Sequence, residues 1–318
     1  MSTRIPIVAV MLACAVNAST ATAQSSQGAR ERVQSSNEER QTVRRAQATA
    51  QRRGGTAAGE VTEAFAQTAR LDPGGTFDLL NVAGNVTITG GSNGRVVRIE
   101  ALKRVRNGNA RAQAIMNSIQ ITVAERGGNV EVRTVPPRGF PRNPAPNRPT
   151  ASVDYSVVLP EDVNVVLRTT SGSLRLQNVS GDQFELNTLS GDVIMQASRG
   201  RMLDLHTVTG NIVLQQIFAE RARLQSTTGN LEYVGELQPT GRYRFTTHKG
   251  NVRVAPTGVP GFDLDAMTHK GALRTDFALK RLPQRAPGQP RFLRGTVGDA
   301  GAALTVSTFS GNIILIKP

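Results

Sequence analysis

Cysteine and tryptophan are nearly missing from this chain. Its 318 residues include one cysteine, Cys14, no tryptophan, three tyrosines and ten phenylalanines. A single thiol excludes an internal disulfide and a cysteine-rich zinc site. The small number of aromatic side chains argues against a groove that binds carbohydrate on aromatic platforms.

The N-terminus has the three parts of a secretory signal peptide. Arg4 supplies the positive charge, residues 5–16 form a short apolar core, and Ala21–Ala23 offer a cleavage site. We therefore predict a signal peptide at residues 1–23 and an extracytoplasmic location, in the periplasm, in the cell envelope or as a secreted protein. Lipidation at Cys14 is an alternative, although leucine two positions before the cysteine is unusual for a lipoprotein. No later apolar run is long enough to span a bilayer.

Acidic residues are also scarce, because 24 Asp and Glu face 38 Lys and Arg, a formal net charge of +14. Such a surface favours anionic partners. Nucleic acid is one such partner. We do not expect it to bind here, because the chain is predicted to be exported and has no recognised nucleic-acid-binding motif. Anionic envelope polymers or lipid headgroups fit the compartment better, envelope proteins are a further possible partner, and a merely solvated basic surface is the alternative. One basic cluster comprises Arg95, Arg98, Lys103, Arg104, Arg106 and Arg111.

Three segments are predicted to be irregular. Residues 24–70 are polar and basic, with almost no large apolar residue before Phe65, and this composition predicts a disordered tether. Residues 136–149 contain six prolines, which exclude a central strand. Residues 281–294 form a second loop rich in Arg and Pro. Residues 71–318 are predicted to form the folded domain.

Outside these segments the apolar residues alternate with a period of two, which predicts half-buried strands. An apolar residue stands five positions before and two positions after each of eight turn glycines, most of which recur at a nearly constant spacing. Because one such unit cannot bury its own apolar face, the period predicts an all-β fold, a parallel β-solenoid or β-helix of about 20-residue coils. The glycines are Gly84, Gly172, Gly191, Gly210, Gly229, Gly250, Gly271 and Gly311.

Residues 96–160 interrupt this period. They contain four strand-like segments and a short helical pattern around residues 110–116. We expect an irregular antiparallel β insertion that caps one end of the solenoid, because an exposed terminal coil would invite aggregation.

A hydroxyl residue stands three positions before seven of the glycines. Alternation turns it towards the interior, where it can bond the backbone of a neighbouring coil. A catalytic hydroxyl would be a unique residue beside a base, so seven interchangeable ones predict a structural ladder. Its members are Thr169, Thr188, Thr207, Ser226, Thr247, Thr268 and Thr308.

An Asn or Asp stands one position after six of the glycines. Glycine accepts a positive φ and Asx side chains bond their own backbone, so this is the sequence of a turn. Stacked turns would align these side chains in a ladder. A row of Asp would have indicated calcium or sugar cleavage, but one member only is Asp. The turn ladder comprises Asn85, Asp192, Asn211, Asn230, Asn251 and Asn312, with Ser173 and Ala272 as the exceptions.

His248 and His269 both lie in the sequence THKG and are expected to stack in adjacent coils. Two imidazoles could hold a metal, but no third ligand recurs at that register, and Lys249 and Lys270 beside them repel a cation. We therefore predict a pair of exposed turn residues, with no metal or other cofactor.

The repeats VVLRTTSGSLRL, FELNTLSGDVIM, LDLHTVTGNIVL and ARLQSTTGNLEY, preceded by DYSVVLP, resemble the bacterial candidate-adhesin domain of unknown function, a β-strand repeat family. The resemblance covers roughly residues 77–317. It implies a β-solenoid on an exported or envelope-associated protein and carries over no catalytic residue. The sequence departs from the family pattern in its two THKG turns and in its long Arg/Pro loops.

Two hypotheses of function follow. The favoured one is an exported, non-enzymatic envelope protein, a solenoid scaffold for adhesion or for contacts with envelope proteins or polymers. Ile194, Val213 and Ile314, all three positions after a glycine, would give one outer face an apolar stripe. The alternative is a polysaccharide-acting β-helix enzyme, for which the neighbouring carboxylates Glu185 and Asp204 are the catalytic candidates. The sequence leaves the oligomeric state open.

Overall fold

The computed structural model describes residues 60–92, 94–106, 111–136, 150–258, 261–281, 291–299 and 301–317. The predicted signal peptide, the tether up to residue 59 and most of both predicted Pro-rich loops lie outside these residues. The described part of the chain is all-β and solenoid-like, with one short helix and a single mixed sheet of twenty strands.

The elements follow one another closely along the chain. The helix is α1 (Ala112–Ser118), between the fourth and fifth strands. The strands are β1 (Glu60–Arg70), β2 (Thr76–Leu80), β3 (Val86–Ser92), β4 (Val96–Arg106), β5 (Gln120–Arg126), β6 (Asn129–Val135), β7 (Thr150–Pro160), β8 (Asn164–Ser171), β9 (Leu174–Gln177), β10 (Ser180–Ser190), β11 (Val193–Thr209), β12 (Ile212–Thr228), β13 (Leu231–Lys249), β14 (Val252–Thr257), β15 (Gly261–Lys270), β16 (Leu273–Thr275), β17 (Lys280–Arg281), β18 (Arg291–Gly298), β19 (Ala302–Ser310) and β20 (Ile313–Leu315).

Parallel strands in the middle of the sheet pair at the repeat spacing. β10 pairs with β11, and β11 with β12, at a constant shift of one repeat, so that Leu186, Leu205 and Leu224 lie in one row. The pairing of β11 with β12 is interrupted at Ala197, Arg201 and Val208. Each coil is named below after its turn glycine.

The coils at the C-terminal end are stacked out of chain order. β19 pairs with β13 on one side and with β15 on the other. The Gly311 coil therefore lies between the Gly250 coil and the Gly271 coil. The expectation that the Gly250 and Gly271 coils are adjacent is wrong, because the long step from Gly271 to Gly311 lets the chain return and insert a coil between them.

The first coil is placed in the same way. β2 lies between β6 and β8, and β3 lies between β7 and β9, all in parallel. Residues 96–160 are thus divided between stack and cap: β6 and β7 extend the parallel ladders, whereas β4 and β5 pair with them antiparallel. The helix α1 packs against β1 and β4.

Residues 60–70 do not belong to a tether, which corrects the sequence-based boundary. They form β1, which is antiparallel to β4 from Glu60–Arg106 to Arg70–Val96. Most side chains of β1 are exposed, so an outermost strand has the polar composition of a disordered segment. Likewise residues 291–294, predicted as loop, begin β18.

Apolar rows fill the interior of the stack. Every residue five positions before a turn glycine is buried, and so is every residue two positions after one except Leu273, which is half-buried in the last coil. Tyr233 adds an aromatic cluster, with ring centroids 5.9 Å from Tyr243 and 5.2 Å from Phe245. Full burial of one such large side chain stabilises a fold by about 1.5–3 kcal/mol.

Candidate functional site

The predicted hydroxyl ladder lies inside the stack. All seven members are buried, and six donate to the carbonyl of the turn glycine in the neighbouring coil. Thr207 Oγ1 reaches Gly191 at 3.1 Å and Thr308 Oγ1 reaches Gly250 at 3.1 Å. The other four are Thr188, Ser226, Thr247 and Thr268, whereas Thr169 bonds Ser171 in its own turn.

The Asx ladder runs along a corner of the stack. Each side-chain oxygen accepts from the backbone N–H of the equivalent residue in the next coil, as from Asn230 to Asn211 Oδ1 at 2.9 Å. The same bond joins Asn251 to Asn230 and Asn312 to Asn251. The row ends on Ala272, whose N–H donates to Asn312 Oδ1. The coil of Ala272 is at the end of the described parallel stack. No backbone N–H of a further coil therefore needs a side-chain acceptor at this position.

Ser173 interrupts this ladder. Its N–H donates to Asn85 Oδ1 at 3.0 Å, but no described side-chain bond leads from Ser173 to the N–H of Asp192. The ladder resumes at Asp192, whose Oδ1 accepts from Asn211 at 2.7 Å. A serine side chain is one atom too short to span the gap that an asparagine spans.

The turn glycines are required by close backbone approach. Gly229 has φ +155°, and a Cβ atom built there would overlap the carbonyl oxygen of Gly210. The same overlap between neighbouring turns recurs along the row, for example between Gly172 and Gly84. Any side chain here would push two coils apart.

The inserted Gly311 coil changes the environment of the two histidines. Phe309 lies between them, with its ring centroid 4.8 Å from His248 at 11° and 5.1 Å from His269 at 32°. The prediction that His248 and His269 are stacking neighbours is therefore wrong. All three rings are exposed, so the structure brings together an aromatic row that sequence reasoning missed.

The lysines beside the histidines are exposed as well. Lys270 Nζ lies 5.8 Å from the centroid of Phe309, within range of a weak cation–π contact. Within the described residues no carboxylate forms an ion pair with Lys249 or Lys270. Among those residues, no group of three His, Cys, Asp or Glu side chains is placed to hold a metal ion.

The predicted basic cluster near the N-terminal end differs, because acids neutralise much of it. Lys103 Nζ lies 2.9 Å from Glu63, and Arg95 lies 3.1 Å from Asp72. Arg104 lies between two acids, Asp154 at 3.0 Å and Glu60 at 3.7 Å; Glu60 also lies 3.6 Å from Arg106. This cluster therefore offers less net charge to a ligand than its sequence suggests.

The two catalytic candidates are neighbours in register, since Glu185 pairs with Asp204 across β10 and β11. Glu185 Oε1 accepts from Arg168 at 3.0 Å and from Asn187 at 2.9 Å. Arg168 also lies 3.4 Å from Asp78. These contacts join three coils on the outer face, which is the arrangement of a structural ion-pair network.

Two outward rows differ from expectation. Ile194 and Val213 are adjacent, but Glu232 and Arg253 separate them from Ile314. The prediction of a continuous apolar stripe is therefore wrong.

Sequence reasoning also missed a ladder of glutamines on the outer face. Gln196 Nε2 donates to Gln215 at 2.8 Å, and Gln177 donates to Gln196 at 3.1 Å. Its sequence signal is a Gln five positions after three successive turn glycines.

The three tyrosines titrate abnormally because they are buried. Burial raises the pKa of Tyr155 to about 12, against a smaller opposing effect of its 2.6 Å hydrogen bond to Thr134. Burial likewise raises the pKa of Tyr243 to about 12, and it raises the pKa of Tyr233 strongly, with a further contribution from Tyr243. All three side chains belong to the core.

Comparison with known proteins finds one family and several solved structures. The family model described as Toastrack DUF4097 matches residues 80–315. A candidate adhesin from Bacteroides fragilis is 13% identical, with 80% of this chain and 97% of that one covered and a TM-score of 0.46. A candidate adhesin from Parabacteroides merdae is 12% identical over 80% and 97% of the chains, with a TM-score of 0.38.

A candidate lipid-binding protein from Parabacteroides distasonis is 11% identical to this chain. It covers 81% of this chain and 97% of its own length, with a TM-score of 0.39. No curated protein matches the chain. In the described residues no helix has the length and apolar character needed to cross a bilayer.

Proposed function

The chain belongs to the Toastrack DUF4097 family, and on that premise we propose that it is an exported, non-enzymatic envelope protein. Its solenoid-like body is a scaffold that contacts anionic polymers, anionic lipid surfaces or proteins outside the cytoplasm. The formal net charge of +14 and the signal-like residues 1–23 support this compartment and this class of partner.

One observation carries the proposal: the repeated polar groups are used inside the scaffold. Thr207 donates to Gly191, and Asn230 donates to Asn211, in the same way from coil to coil. A nucleophile must be free to reach its substrate, and a metal ligand must be free to reach its metal. These groups instead form hydrogen bonds between neighbouring coils. The pattern that repeats most regularly is therefore explained by stability.

A binding assay with the mature chain tests the proposal. Envelope glycans, anionic vesicles and an envelope protein extract are the three classes of bait. We expect at least one to retain the protein at low salt and to release it as salt screens the charges. Failure of all three classes to retain the protein would contradict the proposal.

The enzyme hypothesis is tested with the same preparations. Release of reducing ends from a polysaccharide panel, lost in the variant Glu185→Gln/Asp204→Asn, would establish a polysaccharide-cleaving enzyme instead. We expect no release, because Glu185 is held by Arg168 and Asn187 in an outer ion-pair network.

A further inference from the structure

The corner at the C-terminal end of the stack offers hydrogen-bond donors and few acceptors. We name it the donor ridge: the exposed side chains of His248, Lys249, Asn251, Phe309, Asn312, His269 and Lys270. They come from the Gly250, Gly311 and Gly271 coils, which are consecutive in the stack.

The stacking itself occupies the acceptors of this corner. The carbonyl of Gly250 accepts from Thr308, and the carbonyl of Gly311 accepts from Thr268. The carbonyl of Lys249 accepts from the N–H of Gly229 at 2.9 Å. The carbonyls of Ser310, Lys270, Asn251, Asn312 and Ala272 accept from backbone N–H groups of neighbouring coils in the same way.

The Asx ladder also fixes the orientation of its carboxamides. Asn251 Oδ1 accepts from the N–H of Asn312, and Asn312 Oδ1 accepts from the N–H of Ala272. Both residues are exposed, and no described residue accepts from the Nδ2 group of either side chain. Each of these two turns therefore presents an NH₂ donor to solvent.

Charge is added by the lysines and by arginines on both sides of the corner. Lys249 and Lys270 have no described carboxylate partner. Arg244 and Arg253 of the Gly250 coil and Arg274 of the Gly271 coil are exposed on the strands that flank these turns. The ladder positions of earlier coils include the acids Asp154 and Asp192. At the position just before the turn glycine, the other described coils carry Ser, Thr or Ala, so lysine at this position is specific to the Gly250 and Gly271 coils.

The ridge is a line along the stack axis. Lys249 and Lys270 occupy equivalent positions on either side of Ser310, two coils apart, which is roughly 9.6 Å at the usual strand spacing. The ring of Phe309 stacks on His248 and lies tilted against His269, so these three side chains are in contact before a ligand binds. A line of donors along a corner fits a linear chain of acceptors better than it fits the plane of a bilayer.

From these observations we propose that the donor ridge binds a linear acidic polysaccharide. The carboxylates of the polysaccharide pair with Lys249 and Lys270, and its hydroxyls accept from Asn251, Asn312 and the imidazoles. This inference rests on the proposed function and assigns a site and a ligand class to it. The sugar lies on ring edges and amide groups, so the shortage of wide aromatic platforms does not oppose it.

Binding of polygalacturonate, with its neutral methyl ester as the comparison, tests the site. The variant Lys249→Thr/Lys270→Ser installs residues found at the same position in other coils, Thr228 and Ser190. The matched control Arg175→Thr/Arg221→Gln removes two exposed charges elsewhere, with residues taken from the registers of Thr87 and Gln183. A thermal melt of each variant verifies folding.

The intact protein is expected to bind polygalacturonate in a salt-sensitive manner and not to bind its methyl ester. The ridge variant is expected to lose about tenfold in affinity, the effect of two exposed ion pairs, and the control less than about twofold. The variant His248→Thr/His269→Thr is expected to weaken binding although both lysines remain, because it removes the imidazole donors.

Equal losses in the ridge variant and in the control would overturn the assignment, because general charge would then explain binding. Salt-sensitive binding to vesicles or envelope protein without binding to polygalacturonate would also overturn it, while leaving the proposed function standing. If no anionic bait of any class binds, both the site and the proposed function fail.

Discussion

The ring of Phe309 stacks on the imidazole of His248 at 4.8 Å, although the whole Gly271 coil lies between them in the chain. His269, much closer to His248 in sequence, lies on the far side of Phe309. The Gly311 coil, which follows the Gly271 coil in the chain, therefore lies inside the stack, and the Gly271 coil lies at its end. This relationship determines both the composition of the donor ridge and the way in which the C-terminal end is held together.

Removal of residues 302–318 is expected to detach β15 from the sheet, in addition to deleting the Gly311 coil. Among the described strands β15 pairs only with β19 and with β18, so it loses its connection to the rest of the sheet. Hydrogen exchange is expected to show loss of amide protection across residues 261–270, with protection kept in β11 and β12. Retained protection of residues 261–270 would contradict the stacking order.

The complementary deletion provides a control. Removal of residues 259–300 shortens the step from Gly250 to Gly311 to the spacing of the central coils. Because β19 and β20 pair directly with β13 and β14, this variant is expected to keep its Gly311 coil docked and protected.

Repair of the gap in the Asx ladder is expected to stabilise the protein. Ser173→Asn would supply the missing acceptor for the N–H of Asp192, a net gain of about 1 kcal/mol for one hydrogen bond. The reverse change, Asn230→Ser, breaks an existing 2.9 Å bond to Asn251 and is expected to cost a similar amount. Urea denaturation of both variants measures the two effects; equal stability of all three proteins would show that the ladder contributes nothing.

Two glycines with similar backbone conformations separate steric contact from conformational preference. Gly172 has φ +132° and touches the carbonyl of Gly84, whereas Gly91 has φ +115° with open space around it. Gly91→Ala is expected to cost about 1–2 kcal/mol from backbone strain alone. Gly172→Ala is expected to cost more than Gly91→Ala, because it also separates two coils. Equal losses in a thermal melt would contradict the close approach of the turns.

Alkaline pH is expected to unfold the protein through its buried tyrosines. An unfolded tyrosine ionises near pH 10, whereas Tyr155 in the folded chain keeps its proton up to about 12. Between these values the unfolded state binds fewer protons. The free energy of unfolding therefore falls as the pH rises, by about 1.4 kcal/mol per pH unit for each such tyrosine.

The variant Tyr155→Phe/Thr134→Val removes both partners of the 2.6 Å hydrogen bond. Its stability is expected to fall less steeply than that of the unchanged protein between pH 10 and 12. Urea titrations across this range give the slope directly. An unchanged slope would show that Tyr155 ionises normally in the folded state.

The sequence predicts the contents of each row well, because every coil repeats the same local alternation. Leu205 and Thr207 are interior residues by their distance from Gly210, and the structure places both there. Neither their burial nor the turn at Gly210 depends on which coil lies next to which. Local patterns of this kind are readable without any knowledge of the stacking order.

The stacking order was not predictable from the same patterns. The apolar alternation around Thr308 matches the Gly250 coil as well as it matches the Gly271 coil, so register cannot choose between the two neighbours. The position of Phe309 between the histidines depended on that choice. β1 was missed for a different reason: its outer position needs few apolar residues, and its composition resembles that of a tether.

The most direct test of the account is a pair of disulfide cross-links in a chain whose Cys14 is replaced by serine. In His248→Cys/Phe309→Cys the two cysteines lie on neighbouring coils, with their Cα atoms one strand spacing of roughly 4.8 Å apart, and mild oxidation is expected to join them. In His248→Cys/His269→Cys the Gly311 coil intervenes, the separation is roughly 9.6 Å, and no bond is expected to form. Rapid cross-linking of the second pair and not of the first would contradict the inserted coil, and with it the donor ridge.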